Sequence, residues 1–106
     1  MEIIITTTSE IPGKKTKQIL GIVRGNTVRS RNIGHDIGAS FKNIVGGEIK
    51  SYTEMLTQSR EEALNRMINE AVEMKADAII NVRFMTSAIM GGAAEILAYG
   101  TAVKLA

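Results

Sequence analysis

The sequence predicts a two-layer α+β fold: an antiparallel three-stranded sheet with a long helix packed on one face, plus a short N-terminal strand. Three observations predict it. Residues 51–76 carry apolar side chains at helical spacing. Residues 17–28, 78–85 and 94–105 are short stretches rich in β-branched residues. Gly91-Gly92 stands between the last two stretches as a two-residue hairpin signal. At 106 residues the chain makes one domain, residues 1–106, with a single modest core.

In chain order, residues 2–7 read as the short strand. Ile11-Pro12-Gly13-Lys14 places Pro and Gly at the central positions of a type II turn. The first long strand follows at 17–28, with Ile19 and Val23 expected on one face and Leu20, Ile22 and Val28 on the other. Gly21 and Gly25 fall on the Ile19 face, where no side chain holds a neighbour away. Residues 30–32 are expected to loop. A shorter helix is expected over 33–45, with Ile37, Phe41, Ile44 and Val45 on one side and Gly34 and Gly38 a turn apart; Gly46-Gly47 should end it.

Ser51 and Glu54 fit a capping box, so the long helix is expected to start at Ser51. Tyr52, Leu56, Ala63, Met67 and Ala71 form one apolar row, and Leu64, Ile68 and Val72 a second. Together they span roughly 200° of circumference, twice the stripe of a one-sided helix. Such a helix should be covered on two sides. The polar strip holds Glu62 and Arg66, a favourable i,i+4 pair. A second S-x-x-E, Ser59 to Glu62, offers another start, but the unbroken periodicity favours one helix. At the far end Ala76 and Asp77 stand where a Gly is usual.

A hairpin centred on Gly91-Gly92 pairs Phe84 with Tyr99, Val82 with Thr101 and Ile80 with Val103. All six then share the face expected to take the helix, and a one-residue slip would destroy that agreement. Asn81, Arg83, Met85, Ala98, Gly100 and Ala102 form the back face, small and open to another layer. The order strand, helices, strand, strand makes a split β-α-β unit with the last strand as antiparallel centre.

Charge is +2 overall but uneven: +4 over residues 1–50 and −2 over residues 51–106. The asymmetry is too mild to mark a nucleic-acid binder. Zero cysteines exclude disulfides and thiolate metal sites. No run approaches the ~18 apolar residues of a membrane span, and the N-terminal stretch has no signal-peptide pattern, so a cytoplasmic protein is expected.

Chemistry-bearing residues are sparse. His35 is the lone imidazole, with Asp36 beside it, but adjacent helical residues diverge by about 100° and coordinate poorly together. A metal site there needs more distant carboxylates or other subunits, since typical sites use three or four ligands. Thr6-Thr7-Thr8-Ser9 reads as a strand end and turn, or as the lining of a polar, anion-binding pocket. Lys14, Lys15, Lys17, Arg24, Arg29 and Arg31 make a basic region without interleaved aromatics or a recognition-helix pattern. The paired glycines lack phosphate-loop spacing. No residue is assigned as catalytic and no cofactor is expected.

The runs 22–25 (IVRG), 31–56 (RNIGHDIGASFKNIVGGEIKSYTEML), 76–84 (ADAIINVRF) and 89–103 (IMGGAAEILAYGTAV) closely resemble the YbjQ-like family. The match covers nearly the whole chain and departs from the family at Ala76, where Gly is common. The resemblance implies a dodecin-subunit-like fold in a ring-shaped homopentamer, and brings the description of a heavy-metal-binding protein. The expected function is accordingly a small homo-oligomeric module, structural or ligand-binding, whose partner is itself. The alternative is a divalent-metal-binding protein using His35, Asp36 and carboxylates at subunit interfaces; an enzyme with an inter-subunit pocket is the third class.

Overall fold

The computed structural model describes residues 2–30 and 46–106. The shorter helix expected over 33–45, with Gly34, Gly38, His35 and Asp36, lies outside the described residues. The described elements are β1 (Ile4–Ile5), β2 (Thr16–Ser30), α1 (Gly46–Glu73), β3 (Ala78–Met90) and β4 (Ala93–Leu105). Strand order is β1-β3-β4-β2. The last strand is the antiparallel centre between β2 and β3, as the split β-α-β reading requires. β1 corrects that reading: it pairs in parallel with β3, Ile4 opposite Ala78 and Ile5 opposite Ile79. The sheet is therefore four-stranded and mixed, because even two β-branched residues find an open strand edge beside β3.

The turn before β2 forms as the sequence predicts. Lys14 N–H donates to the Ile11 carbonyl at 3.0 Å and Gly13 sits at φ +78°. That is the left-handed value a type II turn needs at its third position.

The helix starts earlier and ends earlier than its sequence signals. Gly46 and Gly47, expected to terminate a helix, lie in α1, and Ser51 is inside it, so Ser51 is not the cap. A serine and a glutamate three apart also occur side by side within any helix, so the pattern does not by itself mark an end. At the other end Lys75 takes the left-handed conformation, φ +62°. Ala76 N–H reaches the Ala71 carbonyl at 3.1 Å and Lys75 N–H the Val72 carbonyl at 2.9 Å. Those two bonds are the Schellman pair, closed here by a lysine where glycine is usual.

Bulges set the faces of the sheet. Met90 pairs with Ala93 across Gly91-Gly92, but an extra residue at Ile89 moves Phe84 opposite Ala98 rather than Tyr99. A second extra residue between Ile80 and Arg83, where Asn81 has φ +54°, moves Ile80 opposite Thr101 and leaves Val103 opposite Ala78. In β2 a bulge between Ile19 and Gly21 puts Ile19 opposite Val103 and Gly21 opposite Ala102. Directly opposed residues share a face. Ile19, Ile22 and Val28 thus lie on one face, and Gly21, Val23, Gly25 and Thr27 on the other.

The helix takes the small face. Ala98 and Ala102 are fully buried beside Val23, Ala63, Met67 and Ala71, so of the six residues expected under α1 only Val82 and Phe84 lie on the helix side, while Ile80, Tyr99, Thr101 and Val103 lie on the back. Small side chains let the two backbones approach: a methyl on Gly25 would lie 2.3 Å from the Ala63 carbonyl oxygen. Ile79 and Val82 both join this core because the Asn81 bulge turns the strand between them. Ala78, Ile80 and Val103 make a second, smaller core on the back face, closed by Ile4, Ile11 and Leu105. α1 lies over β2 and β4 and scarcely reaches β3. Its buried stripe is narrower than two rows, since Val72 is 55% exposed.

Candidate functional site

Three polar groupings stand out among the described residues. The first lies where α1 crosses β2. The Thr27 hydroxyl, on the helix face of β2, donates to the Ser59 carbonyl at 3.2 Å. One position pair along, Arg29 donates to Glu62, and Arg66 holds the other oxygen of Glu62 at 2.5 Å, the i,i+4 pair read from the sequence. The Arg29 hydrogen bond holds the Glu62 carboxyl below its ordinary range, against partial desolvation and with help from the Arg66 charge. Ser59 Oγ is buried with no partner among the described residues. Both arginines engage the one carboxylate; the grouping fastens helix to sheet and offers no free base.

The second grouping ties the end of α1 to the end of β4. Asp77 Oδ2 accepts from Leu105 N–H at 2.8 Å, and Lys104 Nζ reaches the Lys75 carbonyl at 2.9 Å and Asp77 Oδ1 at 3.6 Å. The Leu105 N–H is the main cause of a lowered Asp77 pKa, opposed by desolvation and aided by Lys104 and Lys17. It too is a fastening.

The third is a cleft of about 900 Å³ between the loop after β1 and the start of β2, lined by Thr8, Ser9, Ile11, Lys14 and Leu105 among others. The threonine run is a bend whose hydroxyls bond within the loop. Thr8 Oγ1 donates to the Glu10 carbonyl at 2.7 Å, and Thr6 Oγ1 accepts from Thr8 N–H at 3.1 Å. Two of the hydroxyls expected to line a polar pocket thus serve the turn reading.

The metal candidates His35 and Asp36 lie outside the described residues. Among those described, no three His, Cys, Asp or Glu side chains gather as a metal site. With no cysteine and one histidine in the whole chain, the residues described here do not fit a resident heavy-metal ion within one subunit. The described members of the basic region do not form a patch. Arg31 is outside the described residues, Arg29 is paired with Glu62 on the helix side, and Arg24 lies on the opposite face, opposite Tyr99. Lys14 and Arg29 stand about 50 Å of extended chain apart. No described helix is long and apolar enough to cross a membrane. Sequence reasoning missed Arg29, Thr27 and Ser59 as a set, because only the strand register brings them together; Glu62–Arg66 was the one local signal.

Known proteins place this architecture. A UPF0145 protein of Thermosipho melanesiensis is 64% identical over 102 residues, 96% of this chain and 94% of its own. A UPF0145 protein of Archaeoglobus fulgidus is 64% identical over 104 residues, 98% of this chain and 96% of its own. Among solved structures, a protein of unknown function of the DUF74 family from Pediococcus pentosaceus superposes with TM-score 0.69 at 18% identity, covering 98% of each chain. That likeness supports the α+β fold. Residues 3–106 match the YbjQ family profile, described as "Putative heavy-metal-binding", and the chain belongs to that family.

Proposed function

We propose that the chain is a self-assembling module of dodecin-subunit-like design, structural or small-ligand-binding, that works as a homo-oligomer. The observation that carries the reading is the apolar strip left uncovered on the back of the sheet. Ile19 is 68% and Ile22 71% exposed there, with Val28 and Met85 also exposed on the same face. Phe84, Ile89 and Met90 add exposed apolar surface towards the hairpin tip. Arg24 and Asn26 interrupt the strip between Ile22 and Val28, yet this many large apolar side chains are rarely left bare on a soluble monomer. Closed cyclic symmetry buries such surfaces without open-ended growth. Five subunits is the number that the family resemblance supplies. Native mass spectrometry and light scattering of untagged protein test the reading: a pentamer is expected, and a stable monomer at micromolar concentration overturns it.

A second reading, a divalent-metal-binding protein, is favoured by the family description. Its site would join His35 and Asp36 to carboxylates of a neighbouring subunit. Calorimetric titration with Zn²⁺ separates the two readings. A stoichiometric submicromolar site abolished by His35→Ala supports the metal reading, and weak, unsaturable binding rejects it.

A further inference from the structure

Among the described residues β2 is the terminal strand of the sheet, with β4 on one side and no described strand on the other. Backbone groups alternate in direction along a strand, so Arg24 and Asn26 point theirs the same way and Gly25 the opposite way. The N–H of Arg24 and the carbonyl of Asn26 meet side chains of α1. Arg24 N–H donates to Glu70 Oε1 at 3.3 Å, and the Asn26 carbonyl accepts from the Arg66 guanidinium at 2.6 Å. Glu70 and Arg66 are four residues apart and share a helix face. The close approach of α1 at Gly25, which lies between the two capped residues, brings both within reach. Arg66 is further held by Glu62.

We propose that Glu70 and Arg66 guard the outer edge of β2, occupying the donor and acceptor that a strand from a second copy of this chain would use. A 15-residue terminal strand carrying exposed Ile19, Ile22 and Val28 is otherwise a template for edge-to-edge growth. The guard leaves the back face free for ordered assembly while closing the middle of the edge. It acts on a single chain and holds whatever the subunit number.

The test compares the parent with Glu70→Ala/Arg66→Ala, which keeps the net charge, and with Glu70→Gln, which keeps an acceptor oxygen. Hydrogen exchange is read at the Arg24 amide, and mass by light scattering over a concentration series. In the double variant, Arg24 exchange is expected to speed up at least tenfold, and concentration-dependent species heavier than the parent assembly to appear. Glu70→Gln should resemble the parent in both. If the double variant loses its far-UV signal, Glu70→Ala against Glu70→Gln gives the same contrast. Unchanged Arg24 exchange, or variants that keep the parent mass at every concentration, overturn the guard. A parent that proves monomeric refutes the proposed assembly and leaves the guard standing.

Discussion

Gly25→Ala tests the contact on which the fold turns. A methyl there would lie 2.3 Å from the Ala63 carbonyl oxygen, 2.5 Å from Met67 N and 2.7 Å from Arg66 Cβ, where ordinary contact begins at 3.4 Å. Two of the three obstacles are helix backbone and cannot swing aside. Relief requires α1 to rise by about 1 Å, a gap that already forfeits a quarter to a half of each dispersion well along the stripe. Val23, Ala63, Met67 and Ala71, all fully buried, share that stripe. Overpacking of this kind costs about 1–3 kcal/mol. Removing a flexible glycine from a strand returns about 0.5–1 kcal/mol, so the net loss should be about 1 kcal/mol. Urea unfolding should show a lower midpoint with an unchanged slope. A variant within about 0.5 kcal/mol of the parent would refute the close approach and the assignment of the helix face with it.

Four further outcomes follow from the same geometry. Lys75→Gly should stabilise by about 1 kcal/mol, because glycine takes the left-handed position without steric cost; a loss in thermal melts would mean that the lysine side chain matters more than its backbone. Ser59→Ala should stabilise by about 1 kcal/mol, since it removes from a helix interior a buried hydroxyl with no partner among the described residues; destabilisation would reveal a bond to that oxygen. Asp77 and Glu62 both have lowered carboxyl pKa values, so their contribution to stability is complete above the unfolded-state range and fades as pH falls below about 4. Asp77→Asn should flatten that acid limb, and an unchanged pH profile would remove the Leu105 N–H bond as its cause. Ala98→Glu should prevent folding altogether by burying a carboxylate under α1, read as lost far-UV signal; a soluble, folded variant would put Ala98 on the open face.

What the sequence made legible was whatever is written in short-range pattern. The Pro12-Gly13 turn, the helical periodicity through Ala63, Met67 and Ala71, the Glu62–Arg66 pair and the glycine hairpin all depend on residues within four of one another. What it hid depends on single extra residues. Alternation along β3 assigned Ile80, Val82 and Phe84 to one face, and a bulge at Asn81 breaks that arithmetic. Nothing about an asparagine between Ile80 and Val82 announces a positive φ. The same holds for Leu20 in β2, which a bulge turns towards the helix core while Ile19 stays on the back face. The start of the helix failed for another reason, since S-x-x-E is as compatible with a helix interior as with a cap.

These bulges also explain why a candidate site was harder to read than the fold. A strand without bulges would have put the large residues of β3 under the helix and left the alanines of β4 bare, a weak surface for any partner. The bulges divide them instead: Ile80 goes to the back while Ile79 and Val82 stay under the helix. Small residues go under α1, where backbone proximity lets Glu70 and Arg66 reach the edge of β2 and lets Arg29 reach Glu62. Ile19, Ile22 and Val28 go to the back, where they stand exposed. The polar side chains nearest the helix are thus consumed in fastening it, and the back face offers exposed apolar residues with Arg24, Asn26 and Arg83 among them. The charged pairs along α1 thus belong to the scaffold, and the homo-oligomer proposed above is the setting in which the exposed apolar residues of the back face would be used.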